Sequence, residues 1–101
     1  MGVPVARIGD IGVGDDTCHD STKNNVTGTI INGAGTVKAE GSPVGQVGIS
    51  FVVRGDGHWG LIITGAGTVF AEGAPVAQLG SQFVGCFSGT VVSGAGTVTA
   101  G

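Results

Sequence analysis

Two histidines and two cysteines are the residues of this 101-residue chain best suited to bind a metal, and their spacing is regular. His19 lies ten residues after Gly9, and His58 lies ten residues after Gly48. Both glycines close the same local pattern, Pro-Val-(Ala/Gly)-(Arg/Gln)-x-Gly, found at Pro4 to Gly9, Pro43 to Gly48 and Pro75 to Gly80. Cys86 follows the third of these glycines by six residues and precedes Gly89 by three, close to the two that separate His58 from Gly60. Equal offsets imply equivalent places in a repeated structure, so His19, His58 and Cys86 are expected to converge. Imidazole nitrogen and thiolate sulfur suit zinc, with iron as the alternative, and a closed structural zinc site takes four ligands. Cys18 is the candidate for the fourth, provided the chain turns there, because neighbours in an extended strand point to opposite sides. Asp15, Asp16 and Asp20 are oxygen alternatives, and water is another.

Taken one at a time, the histidines read as exposed loop residues and the cysteines as small buried fillers. The shared register favours one metal per chain instead. A Cys18 to Cys86 disulfide is possible, but it is not the favoured state in a reducing cytoplasm. Other chemistries find less support. The Gly-Ala-Gly segments lack the third glycine and the following helix of a dinucleotide loop. Ser88 and Cys86 have no adjacent base with an orienting carboxylate, so neither reads as a nucleophile. Glu40 and Glu72 occupy equivalent turns and read as solvated turn residues. No catalytic residue is expected, and Trp59 reads as packing over the metal site.

The elements that must position these ligands are visible in a second repeat. Gly-Ala-Gly-Thr-Val begins at Gly33, Gly65 and Gly94, offset by 32 and 29 residues. A β-branched pair precedes each copy, and Ala-Glu-Gly-(Ser/Ala)-Pro-Val follows the first two. The units run approximately over 4–42, 43–74 and 75–101, within a single domain covering 1–101. Short β-branched runs between glycines read as strands. Gly interrupts every window with helical spacing, so helix should be minimal. Gly-Ala-Gly and Glu-Gly-(Ser/Ala)-Pro carry turn chemistry, supplying positive φ and a fixed φ respectively. Three hairpin-like units, none able to bury an apolar face alone, can build one core around a shared axis. Only the loops between the Pro-Val motif and the β-branched pair differ in length, and they hold every His and Cys.

Composition narrows the partners. With four Lys and Arg, seven Asp and Glu and a net charge of −3, the chain has no basic patch for nucleic acid. A mean hydropathy of +0.41 argues against disorder despite 22 glycines. Apolar runs are too short to span a membrane. Residues 1–7 carry no basic segment followed by an apolar one, so synthesis in the cytoplasm is the expectation. Four Phe, one Trp and no Tyr predict an interior of Val, Ile, Leu and Ala rather than an aromatic one. A chain of about 100 residues buries only a modest core, so a metal, a disulfide or a partner should reinforce it.

Pro4-Val5-Ala6-Arg7, followed by Ile8-Gly9-Asp10, resembles the Pro-Ala-Ala-Arg signature of the PAAR-repeat family. Pro43 to Gln46 and Pro75 to Gln78 look like relaxed copies, and the likeness extends over nearly the whole chain. The resemblance implies a small all-β cone of three pseudo-threefold β-hairpin-like repeats, with a metal held near its vertex by His and Cys. It also implies a partner: one cone caps the trimeric β-helical spike of a contractile phage tail or a type VI secretion system. The cone would sharpen that spike for membrane puncture, its contact with the membrane being mechanical only. The family's usual ligand set is three His and one Cys. Here two His are present, so Cys18 or an oxygen takes the remaining place. With the sequence closing at Gly101, the family leads one to expect a bare tip whose effector, if any, rides separately. The alternative functional reading is a small metal-dependent β-repeat module that recognises another ligand. A metal-dependent hydrolase, which needs an open coordination position, is a weaker third.

Overall fold

The computed structural model describes residues 3–18, 23–67, 69–96 and 98–100. His19, one of the expected ligands, lies outside them. The described residues form twelve strands and no helix, in agreement with the glycine-interrupted pattern. In chain order these are β1 (Val3–Pro4), β2 (Ile11–Asp16), β3 (Lys23–Ile30), β4 (Lys38–Ala39), β5 (Ser42–Pro43) and β6 (Phe51–Val53). They continue with β7 (Trp59–Ile62), β8 (Phe70–Ala71), β9 (Ala74–Pro75), β10 (Gln82–Gly85), β11 (Phe87–Val91) and β12 (Thr99–Ala100).

Six strands close into an antiparallel barrel in the order β10-β11-β2-β3-β6-β7. Each repeat contributes one hairpin, β2–β3, β6–β7 or β10–β11, and the hairpins join edge to edge. The joining registers include Thr29 opposite Val53, Val84 opposite Leu61 and Ser88 opposite Asp15. Every barrel strand runs antiparallel to both neighbours, so the three hairpin turns lie at the same end. Closure removes the free edges that three separate hairpins would expose.

At the other end the repeats engage one another through the Pro-Val motifs. Ala6 N donates to Ala77 O at 2.9 Å, Ala77 N to Gly45 O at 2.8 Å and Gly45 N to Ala6 O at 2.9 Å, closing a ring of three bonds. The residues in this ring are small because the segments converge. A Cβ on Gly45 would lie 3.1 Å from that of Ala77. Ile8 N to Pro43 O, Val47 N to Pro75 O and Leu79 N to Pro4 O close a second ring of three bonds that runs in the opposite cyclic sense.

The turn chemistry differs from expectation in one respect. Positive φ belongs to the Glu-Gly pairs, Glu40 (50°) with Gly41 (86°) and Glu72 (51°) with Gly73 (86°), which form the two-residue turns of β4–β5 and β8–β9. The first glycine of each Gly-Ala-Gly serves close approach instead. A Cβ on Gly33 would lie 2.2 Å from Val44 O, and one on Gly65 would lie 2.3 Å from Val76 O. The alanines between these glycines, Ala34, Ala66 and Ala95, are buried with Val5, Val44 and Val76 in a small core at that end.

The barrel interior corrects the expectation of a core without bulky aromatics. Phe83 and Phe87 are fully buried, with ring centroids 4.8 Å apart, and Ile30, Val52, Ile62 and Val91 pack with them. Glycines on the facing strands make the room: a Cβ on Gly12 would lie 2.6 Å from the Phe83 ring, and one on Gly28 would lie 2.8 Å from the Phe87 ring. Both aromatics come from the third and shortest hairpin, so one repeat fills space that the others leave.

Candidate metal centre at the hairpin tips

The end of the barrel that carries the hairpin turns is held by two kinds of cross-link. The first is covalent. Cys18, just past β2, and Cys86, between β10 and β11, are joined as a disulfide with Cα atoms 5.1 Å apart. The disulfide, the less favoured of the two states expected from sequence, is the one present, so neither sulfur is a thiolate in this structure. The physical reason is the strand pairing. Asp16 lies opposite Phe87, and Thr17 N donates to Cys86 O at 2.9 Å, so the tips of the first and third hairpins meet with the sulfurs within bonding reach.

The second cross-link is ionic and ties in the remaining hairpin. Asp16 is fully buried at the end of β2. Its Oδ2 lies 2.8 Å from His58 Nδ1 and also accepts from Arg54 Nη1, while its Oδ1 accepts from Cys18 N at 3.1 Å. Arg54 and His58 flank the turn of the second hairpin, where Gly57 has φ of 92° and Gly57 N donates to Arg54 O at 3.0 Å. Asp56 in that turn accepts from Arg54 Nη1 at 2.8 Å and from His58 N at 3.0 Å. A buried carboxylate from one hairpin is thereby neutralised by a guanidinium from another, which a buried charge requires.

Of the four expected ligands, the structure places Cys18, Cys86 and His58 at the hairpin tips. Asp16, Asp56 and His58 each offer one ligand atom within 4.8 Å of the others. A carboxylate accepts hydrogen bonds and does not donate them, so beside ionised Asp16 the proton of a neutral His58 sits on Nδ1 and Nε2 carries the lone pair. Histidines that bind metals are commonly held in this way by a carboxylate on the other ring nitrogen. Asp16, Asp56 and His58 are thus the candidate metal cluster among the described residues, while the bonded sulfurs offer no thiolate.

Arg54 and Asp56 were not singled out as members of this site from sequence. The available signal was a cation and an anion flanking the loop that carries His58. Trp59, expected to pack over the metal site, packs instead against a neighbouring strand. It lies half exposed on the barrel wall, packed edge-on against Phe51 with centroids 4.9 Å apart.

No curated protein matches the chain. Residues 20–84 match the PAAR motif family, a span that includes the second and third Pro-Val motifs and His58. Cys18, His19 and Cys86 fall just outside it. With nearly two thirds of its length matched, the chain belongs to the PAAR-motif family, whose members are structural, non-catalytic domains.

Proposed function

We propose that the protein is the tip of the spike of a contractile injection machine, in a phage tail or a type VI secretion system, with one copy capping a trimeric β-helical spike. The observation that carries this reading is the closed ring of bonds among Ala6, Gly45 and Ala77, in a chain of the PAAR-motif family. Three repeats bonded in cyclic order present a trimer with three similar surfaces, so a pseudo-threefold cone can seat on a true threefold axis. The Pro-Val and Gly-Ala-Gly end meets the spike, where the short two-stranded sheets offer edges for continued β pairing. The hairpin tips face outward.

The role at the target membrane is mechanical. Cross-links between the hairpins keep the outward end rigid under load. Zinc, or iron in its place, would be held by His58 with His19, Cys86 and Cys18 once the sulfurs are thiols, supplying a cross-link whose binding free energy adds to folding stability. Synthesis takes place in the cytoplasm and use takes place outside it.

Light scattering on the chain mixed with a trimeric spike fragment tests this assignment. The expected mass is that of one chain per trimer. No complex, or one chain per spike subunit, would overturn it and favour a β-repeat module for another ligand.

A further inference from the structure

We propose that the outer face of the second hairpin is a contact surface for a second copy of this chain, joined about a twofold axis as a weak, concentration-dependent dimer. The inference does not depend on the spike-tip reading, because the face lies on the barrel wall between the two ends which that reading uses.

The second repeat departs from the other two at one place. In the first and third, the residue directly after the motif glycine bonds back to its motif: Asp10 Oδ2 accepts from Arg7 N at 2.7 Å, and Ser81 Oγ accepts from Gln78 N at 2.9 Å. In the second, Ser50 Oγ accepts from Gln46 N at 2.8 Å, but Ile49 is inserted ahead of it and is exposed. The residue that caps the next strand changes with it. Ser93 Oγ and Thr64 Oγ1 each accept one backbone N–H, from Ile11 and Gln82 respectively. Asn32 instead accepts from Phe51 N and donates to Ile49 O, both at 2.9 Å, so its longer side chain holds the inserted residue in place.

The same hairpin is apolar on its outside. Burial alternates along β6 and β7, so Val52, Gly60 and Ile62 face the core while Phe51, Val53, Trp59 and Leu61 face out. Where β7 carries Trp59 and Leu61, the return strands of the other hairpins carry Thr27 with Thr29 and Ser88 with Thr90. Ile31, just past β3, is 54% exposed, and its N–H donates to Phe51 O at 3.2 Å. With Phe51, Val53 and Trp59 it lines an open cleft of about 280 Å³. The apolar wall therefore belongs to one repeat of three, the one that also carries the inserted Ile49.

The shape and chemistry of this face select its partner. The barrel is closed, so the wall has no strand edge for another chain to pair with. The side chains lining the cleft offer one polar atom, the Trp59 indole nitrogen, which is too little to orient a polar ligand. A partner must be apolar and pack face to face, as sheets do at a spacing of about 10 Å. A twofold contact requires one surface to carry both a projection and a recess. Trp59, 50% exposed, borders the cleft, so the indole of each copy can enter the cleft of the other. None of these side chains is charged, so the contact does not bring together the net charge of −3 on each chain. Half of an aromatic side chain is about 100 Å², and with its neighbours the face is on the order of 400 Å². Two copies would bury about 800 Å², less than the roughly 1,200 Å² of a stable complex, so the dimer forms at roughly tens of micromolar and above.

Analytical ultracentrifugation of the full chain, from about 5 μM to about 1 mM, tests the proposal. The mass should rise from 9.8 kDa toward twice that value. Trp59 is the only tryptophan of the chain, so its fluorescence emission should move to shorter wavelength over the same range. Trp59→Ser and Ile31→Ser should each raise the dissociation constant by about tenfold or more, with circular dichroism checking that they fold. Ile31→Ser keeps the indole as a reporter. Val92→Ser, at the equivalent and similarly exposed place in the third repeat, should leave the constant unchanged. A mass of 9.8 kDa at every concentration, or a dimer indifferent to both face substitutions, would overturn the proposal. Emission that shifts only on adding phosphatidylcholine vesicles, with no dimer, would overturn it in favour of a lipid surface. The monomeric Trp59→Ser chain keeps the end assigned to the spike, so its stoichiometry on a trimer tests the tip reading separately.

Discussion

His58 Nδ1 lies 2.8 Å from Asp16 Oδ2, although the two residues belong to different hairpins and are 42 positions apart in the chain. Because Asp16 also takes a bond from Cys18 N, whose sulfur reaches Cys86, this one carboxylate links all three hairpin tips.

Asp16→Ala should therefore weaken the whole barrel end. Removing one partner of a buried ion pair costs about 3–5 kcal/mol, and the partial exposure of Arg54 reduces the expected loss to roughly 2–3 kcal/mol. Thermal unfolding should show a Tm lower by about 10 °C or more. A drop no larger than that for exposed Asp15→Ala would mean that the network contributes little.

Acid should remove a different contribution, at the opposite end. The Glu72 carboxylate accepts from Thr36 Oγ1 at 2.5 Å and from Thr36 N at 2.9 Å, and these bonds, the hydroxyl's first, hold its pKa below the usual 4.5. The unfolded chain then binds more protons between the two values. Stability from this group is thus present above 4.5 and is lost as pH falls through the lower folded value. Urea unfolding should show Glu72→Gln to have a flatter acid limb than the parent, and an unchanged limb would remove Glu72 from the account.

Two glycine substitutions separate close packing from mere flexibility. A Cβ on Gly60 would lie 2.1 Å from Phe87 O, whereas one on Gly35 meets nothing within 4 Å. Gly60→Ala should destabilise by about 1–3 kcal/mol or more, since the clash is with backbone. Gly35→Ala should be neutral or stabilising by a few tenths of a kcal/mol, about what the loss of unfolded-chain freedom supplies. Equal effects in denaturant titrations would contradict the packing of Phe83 and Phe87 against glycine.

Reducing the protein in the presence of a chelator should expose how much the covalent link contributes. The bridge spans 68 residues of sequence. Loop-closure estimates for such a span are about 4 kcal/mol, with about 2–4 kcal/mol more typical in practice. Denaturant midpoints measured with and without reductant check this, and coincident midpoints would show that the ionic link suffices.

Much of this arrangement was legible because the repeats act as a ruler. The spacing from Gly9, Gly48 and Gly80 placed His58 and Cys86 in one neighbourhood, and the glycine-broken, β-branched pattern predicted an all-β chain without helix. The bonding state of Cys18 and Cys86 was not legible, since register brings sulfurs together without saying whether they stay reduced. Arg54 was missed because its principal partner, Asp16, stands 38 residues away on another hairpin, and composition alone reads a lone cation as surface. Phe83 and Phe87 were undervalued because the room they occupy is made by Gly12, Gly28 and Gly60 on the facing strands, a complementarity that no local window contains.

The central claim is that one chain sits on the threefold axis of a trimeric spike with its hairpin tips outward. An electron-microscopic reconstruction of the complex, computed without imposed symmetry, tests it most directly. The account predicts one copy on the axis, with the Pro-Val and Gly-Ala-Gly end and its short two-stranded sheets against the spike and Cys18, Cys86 and His58 at the free end. A copy bound off the axis, or one with those three residues buried against the spike, would contradict it.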